Sequence, residues 1–474
     1  SVPCYVDHVE PQLACAAASY LRGVPIHHAP DADIVTGLGY GPLLYLCSAA
    51  ALKVFGESLT ATKLPGFLTG LASVLLVLQC LRSATNLRES VRASLWFFAA
   101  SLAFLHALIW TRSDPYLVFC ASLALWAALR LPCIRASIVV GLMIGLACNL
   151  KIHGGVYCLG PILILIGRHG WRAAAAATAP AFVGAFGVFL IPGISLPAYC
   201  QNLLMVAEHG LSGRSLLNNV QWMLFLFVPA LFPLFRRGRG FTLTPSTERR
   251  YLLAGHLVGC MLVAVVASKP GAGPWHFLPF LPGFFYLYFC PVREQQAANQ
   301  VLPESVATMG TLRMAWLTVI TLLVITRHDG YITRLWNSDA RNVVNEVHEI
   351  MHTYAGRTVQ MGYGDALYGH DYEVTFYRPE LVFGGHPFTF DASALMERDK
   401  AGIPFPAALV ACLEQGEPQV VLVPKGNRPF RQLNFYTGQP MFPREFVATF
   451  ERDYQIAESL RYYDVWITRQ SGGR

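Results

Sequence analysis

Apolar residues run along this chain in long stretches separated by short polar turns, and charges stay sparse up to about Tyr331. Ten stretches come near the ~20 residues that cross a bilayer as a helix. They lie at 60–82, 93–111, 115–130, 134–150, 155–167, 173–192, 216–235, 251–268, 277–291 and 314–326. Those at 115–130, 155–167, 277–291 and 314–326 are short, so each is tilted, broken or bounded differently. Any one of them alone would also fit a helix buried in a soluble core. Ten in succession do not.

Two shorter patterns precede the first stretch. Glu10 to Leu21 is Ala-rich with one polar side, and Gly41 to Phe55 is mostly apolar. Both suit helices lying along a membrane interface. His27 to Gly39 is a polar loop between them. After residue 330 the pattern becomes that of a small α/β domain. Thr358 to Gly362 (TVQMG), Glu380 to Phe383 (ELVF) and Gln419 to Pro424 (QVVLVP) read as strands, with a helix from Pro406 to Gln415. Glu445 to Glu451 and Tyr462 to Thr468 read as a final hairpin. The expected organisation is therefore mostly α. It has an external segment (1–59) with interfacial helices, a polytopic transmembrane helical domain (60–330) and an extracytoplasmic α/β domain (331–474).

Composition supports this division. Hydrophobic residues make up 54% of the 474 and charged residues 14%, against about 25% charged in an ordinary soluble domain. The net charge of +7 has no basic tail and no nucleic-acid motif behind it, so no nucleic-acid partner is expected. The cations sit instead in alternate loops: Arg82, Arg88 and Arg92; Arg130 and Arg135; Arg168 and Arg172; the run Arg236 to Arg250; then Arg293 and Arg313. Those loops are cytoplasmic by the positive-inside rule. Residues 1–59 and everything after about 327 are then external. The chain begins at Ser1 with no signal-peptide pattern, so a membrane helix preceding Ser1 is expected to deliver the external segment. Most of the 12 cysteines lie in apolar runs and read as small hydrophobes. Cys4 and Cys15 are the one close pair outside them, and a bridge between the two stays open.

Ionisable residues at a membrane edge are functional candidates, although Lys and Arg there also snorkel to the interface. Five groups of them fall on the external side: Asp7, His8 and Glu10; Arg112 and Asp114; Asn149, Lys151 and His153; Glu208, His209 and Arg214; Lys269 and His276. Carboxylates suit general-base work on a hydroxyl, and Arg and Lys suit a phosphate or diphosphate. Bland roles compete in each case. Asp7 also fits a helix cap, Glu10 fits the first turn of that helix, and Asp114 fits a cap paired with Arg112. Lys151 and Lys269 fit snorkelling. No HExxH or Cys/His spacing marks a fixed metal site. A divalent ion held by Asp7, Glu10 or Asp114 stays open.

At these residues the chain resembles the GT-C glycosyltransferase superfamily, in particular its bacterial branch near the aminoarabinose transferases and protein O-mannosyltransferases. DHVEPQLACAAASYLRGVPIHH resembles the acidic start of that family's first external loop with its Ala-rich helix. YGPLLYLCSAAALKVFG resembles the second interfacial helix, LTATKLPGFLTGLASVLLVL the next span, WTRSDPYLVF the short second external loop, and NLKIHGGVYCLGP a Lys-bearing span end. The likeness covers about the first 290 residues. It departs where relatives carry two successive acids, here Asp7-His8, and where a Lys-Pro-Pro-Leu motif is Tyr40-Gly41-Pro42-Leu43.

The resemblance implies transfer of a sugar, with inversion, from a polyprenyl-phosphate donor to a lipid, glycan or protein acceptor outside a bacterial inner membrane. It makes Asp7 the catalytic carboxylate, with Asp114 and Glu10 as further acidic candidates. Lys151, Lys269, Arg112, His276, His153 and Arg214 are the candidates for phosphate contact. A transporter or flippase, or a non-catalytic binder of a lipid-linked anion, would use the same cations. The chain shows no internal repeat, and its charges gather at one face, which favours the enzyme.

Overall fold

The computed structural model describes residues 5, 7–29, 32–37, 39–82, 85–102, 110–231, 247–289, 315–316, 318–319, 321–322, 339–365 and 373–469. It divides the chain into two compact units. One is formed by residues 1–63, 191–209 and 333–474, the other by 64–190 and 210–332.

The second unit is helical. Among the described residues four helices are long and apolar enough to cross a membrane: Leu59–Leu81, Cys133–Leu150, Trp171–Leu190 and Thr247–Val266. The shorter Leu87–Leu102, Asp114–Arg130, Leu159–His169, Gly213–Leu231 and Leu281–Phe289 accompany them. The span expected at 314–326 lies largely outside the described residues. Lipid gives helices no hydrophobic reason to associate, so small residues and close backbone contact do that work. Gly141 and Gly145, four apart on Cys133–Leu150, take the backbone at Ala177 and Ala181 so closely that a Cβ at either would overlap it. Asn149 Nδ2 donates to Ala185 O at 2.9 Å across the same pair.

The first unit joins the N-terminal segment to the C-terminal α/β domain. Its sheet has β1 Val359–Met361, β2 Val420–Pro424, β3 Tyr454–Ser459 and β4 Tyr463–Thr468, in the order β1-β2-β4-β3. β1 and β2 are parallel; the other pairs are antiparallel. The period-2 alternation of a strand serves both faces. Val420 and Leu422 pack with Val343, Val347 and Ile350 of helix Ala340–Thr353, whereas Val421 and Val423 pack with Phe430, Phe446 and Phe450. Tyr5, Ala14 and Leu59 complete the former core. Val35 N donates to Thr389 O at 2.8 Å, and Asp391 N to Val35 O at 2.9 Å.

The interfacial patterns are helices, Val9–Leu21 and Pro42–Phe55, and Ala407–Glu414 is the expected third helix. Two strand expectations are overturned. ELVF belongs to helix Arg378–Phe383, which starts at an Arg-Pro step and buries Leu381 and Val382. Residues 445–451 form helix Arg444–Asp453, whose Phe446, Val447 and Phe450 fall at helical spacing on a buried face. The hairpin is made instead by β3 and β4. Cys4 lies outside the described residues.

His27 ties its loop to its surroundings. Its ring lies 5.6 Å from that of Tyr45 and 5.1 Å from that of Tyr199, and Nε2 stands 2.9 Å from Tyr40 O. Burial pulls its pKa down to about 4 against the raising effect of the Tyr40 carbonyl. In the unfolded chain the ring protonates near 6.5. Between those values the unfolded state binds more protons, so stability falls as pH drops from about 6.5 towards 4. Thermal unfolding in detergent should show that loss, and His27→Phe should flatten it. An unchanged pH slope in the variant would remove His27 from the account.

Candidate active site

Helices Asp114–Arg130 and Cys133–Leu150 have 17 and 18 residues and are joined across Leu131 and Pro132. So short a connection makes them antiparallel neighbours, and equal lengths bring their far ends level. Asp114 opens the first helix and Lys151 follows the last residue of the second. The helix dipole favours each charge where it stands. Lys151 Nζ donates to Asp114 Oδ1 at 3.0 Å, with both side chains buried. Arg112 Nε stands 3.7 Å from Asp114 Oδ2. Its guanidinium lies 4.9 Å from the Trp110 ring centroid and 5.7 Å from that of Trp275, a cation–π setting on two sides. Gly66 leaves room for the Trp110 carbonyl against helix Leu59–Leu81.

Two histidines complete the group. The rings of His153 and His276 are 5.6 Å apart, and His276 Nδ1 lies 2.9 Å from Gly273 O. Burial, reinforced by the charge of Lys151, lowers His153 to about 3 and His276 well below the usual range. Both rings are neutral at pH 7. Lys269 is near enough to His153 to contribute to that lowering. Around these charges, Trp110 Nε1, Ser113 Oγ, His153 Nε2, Tyr157 Oη and Trp275 Nε1 are buried without a hydrogen-bond partner among the described residues. An unsatisfied buried polar group costs about 1–3 kcal/mol, and these five stand around the two cations.

The other sequence candidates make contacts of their own. Asp7 belongs to the first unit, where its Oδ1 accepts from Val9 N at 2.7 Å and holds the start of helix Val9–Leu21. His8 is exposed, its Nδ1 4.0 Å from that carboxylate. Glu10 is fully buried and accepts from Lys63 Nζ at 2.8 Å, beside Tyr5, whose hydroxyl is 2.9 Å from Thr62 Oγ1. Breaking a buried pair by removing one partner costs about 3–5 kcal/mol. Lys63→Met should therefore lower the unfolding temperature sharply, and Glu10→Gln in the same chain should restore part of the loss. Equal melting of all three proteins would show that the pair contributes nothing. His209 Nε2 lies 2.6 Å from Glu397 Oε2 within the first unit, and Glu208 and Arg214 are exposed. Among the described residues no group of three or more His, Cys, Asp or Glu side chains is placed to hold a metal ion.

Sequence reasoning passed over Trp110, Ser113, Tyr157, Trp275 and Lys63 as site residues. Trp110 and Ser113 lie within WTRSDPYLVF, Tyr157 within NLKIHGGVYCLGP and Trp275 next to His276, all of which it did single out. The adjacency was visible, but an indole or a hydroxyl carries no charge to flag it.

Residues 40–195 match the family model described as dolichyl-phosphate-mannose-protein mannosyltransferase. ArnT from Cupriavidus metallidurans bound to undecaprenyl phosphate superposes with a TM-score of 0.55 at 14% identity, over 98% of this chain and 94% of that one. The apo state of the same protein gives 0.55 and 14%, over 97% and 92%. The likeness to ArnT carries the fold, and the stretch that matches the family model includes Asp114 and Lys151. No curated protein sequence matches the chain. The fold shared with ArnT extends along nearly the whole chain, including the α/β part beyond residue 331, where no motif had pointed to it.

Proposed function

We propose that this glycosyltransferase takes its sugar from a polyprenyl-phosphate carrier and passes it, with inversion, to a hydroxyl or amine of an acceptor at the external face of a bacterial inner membrane. The observation that carries the reading is the buried group of Lys151, Arg112 and Asp114 with spare donors around it. Lys151 and Arg112 bring two permanent cations to the Asp114 carboxylate. A phosphate ester supplies negative charge and several acceptor oxygens, and ArnT is a fold relative that holds a polyprenyl phosphate.

In the reaction the acceptor oxygen or nitrogen attacks the anomeric carbon, and the bond from that carbon to the phosphate oxygen breaks. The electron pair leaves with the phosphate. Lys151 and Arg112 stabilise the charge that develops there. Asp114 holds the two cations in place, so that no reorganisation is needed when the charge appears. Neutral His153 offers an N–H donor to the same oxygens, His276 spends its one N–H on Gly273 O, and Lys269 adds to the positive field. Asp7, the carboxylate that the family resemblance singles out, accepts the proton lost by the nucleophile.

The test is sugar release by the purified protein from a panel of synthetic polyprenyl-phosphate sugars, mannosyl and aminoarabinosyl donors among them, with candidate acceptors. Release from one donor supports the reading and names the sugar. Binding of donors without release under every acceptor and divalent-ion condition would overturn it in favour of a carrier-binding or transport role.

A further inference from the structure

The Gly273 carbonyl fixes the tautomer of His276. A carbonyl only accepts, and this one takes the backbone N–H of His276 at 3.2 Å and the ring Nδ1–H at 2.9 Å. Pro274 restricts the residue before it to extended backbone, and Gly273 has that conformation, with φ −161° and ψ −176°. The ring sits in the 3-10 helix Pro274–Phe280 and is buried. Burial, together with the charges of Lys151 and Arg112, keeps a second proton off it at pH 7. A neutral imidazole with its proton on Nδ1 carries a lone pair on Nε2. Among the described residues nothing donates to that nitrogen.

His276 Nε2 is therefore an acceptor placed among groups that only donate. Lys151, Arg112 and the indole N–H groups of Trp110 and Trp275 have no lone pair to offer. The Trp275 ring lies 5.9 Å from that of His276 and 5.7 Å from the Arg112 guanidinium. A phosphate oxygen suits every one of those donors and does not suit Nε2, because two lone pairs repel. What meets Nε2 has to bring its own O–H.

We propose that His276 Nε2 accepts a hydrogen bond from the hydroxyl on the sugar carbon next to the anomeric carbon, and so selects donors that carry that hydroxyl. The contact presupposes the polyprenyl-phosphate donor of the proposed reaction. In such a donor the linking phosphate is a diester without a hydroxyl and the carrier is a hydrocarbon, so the sugar holds the O–H groups. The hydroxyl one carbon from the anomeric centre is the nearest of them to the phosphate along the covalent chain, and Nε2 stands with the phosphate's cations. The nucleophile fits less well, because inversion brings it in opposite the departing phosphate.

The experiment measures kcat/KM for the sugar donor that the panel identifies and for its 2-deoxy analogue, in the wild type, His276→Asn and His276→Gln. Asparagine keeps an amide N–H for Gly273 O and has nothing at the place of Nε2; glutamine brings a carbonyl oxygen there. Removing the hydroxyl also changes the intrinsic reactivity of the glycosyl phosphate. The quantity read is therefore the change between proteins in preference for the parent donor, from which reactivity cancels. That preference should fall about tenfold in His276→Asn, the worth of one hydrogen bond, and be largely kept in His276→Gln. An equal loss on both donors in His276→Asn overturns the proposal while leaving the transfer reaction standing, since the ring would then only hold the shape of the site. The wild type's affinities for the two donors, read by titration calorimetry, need neither a variant nor turnover. The parent should bind about tenfold more tightly, and equal affinities, or binding of neither, overturn the proposal. Failure of the wild type to release sugar from any donor counts instead against the transfer reaction.

Discussion

Lys151→Met is expected to lower sugar transfer about 10²–10³-fold, the usual cost of removing one preorganised donor from a developing anion. The loss should fall on the bond-breaking step, because Lys151 is assigned to the departing phosphate and not to the acceptor. One complication is built into the site. Without Lys151 the buried Asp114 carboxylate keeps Arg112 only at 3.7 Å, and an under-compensated buried charge costs about 3–5 kcal/mol. Stability therefore has to be measured beside the rate. Lys151→Met with Asp114→Asn should regain much of the unfolding temperature while transfer stays lost. A stable, fully active Lys151→Met protein would remove the group from the mechanism.

Asp7→Asn should reduce transfer about 10²–10⁴-fold, the range contributed by a positioned general base. Asparagine caps helix starts as well as aspartate does, so the bond from Val9 N, 2.7 Å in length, survives the change. The fold and the affinity for the donor are accordingly expected to be unaltered, and single-turnover transfer measured beside donor binding separates the two quantities. A wild-type rate in this variant would show that the carboxylate merely caps the helix. Together the two variants divide the reaction: one removes charge stabilisation from the leaving group, the other removes the proton acceptor.

The membrane part was legible because hydropathy and loop charge are summed over whole segments. Helices Cys133–Leu150 and Thr247–Val266 lie where the apolar stretches put them. Arg168, assigned to a cytoplasmic loop, donates to Ala128 O near the end of helix Asp114–Arg130 that is remote from Asp114. The α/β part was less legible. ELVF and residues 445–451 carry residues that suit strand or helix, and the choice fell to which side chains the neighbouring core takes up. In Arg444–Asp453 the ring cluster of Phe430, Phe442, Phe446 and Phe450 settles it.

By itself the sequence determined that this is a multi-pass helical protein and that ionisable residues such as Asp114 and Lys151 lie at the ends of its apolar stretches. These properties follow from composition, charge asymmetry and segment length, each read without knowing what touches what. Only the tertiary structure decided which of those residues meet. It paired Glu10 with Lys63 and Lys151 with Asp114, set Arg112 between two tryptophans, and fastened Tyr436 to His209. A contact between residues 37, 53 or 227 positions apart depends on how helices and strands pack. Packing is fixed by the complementarity of whole surfaces, which no local stretch of sequence contains.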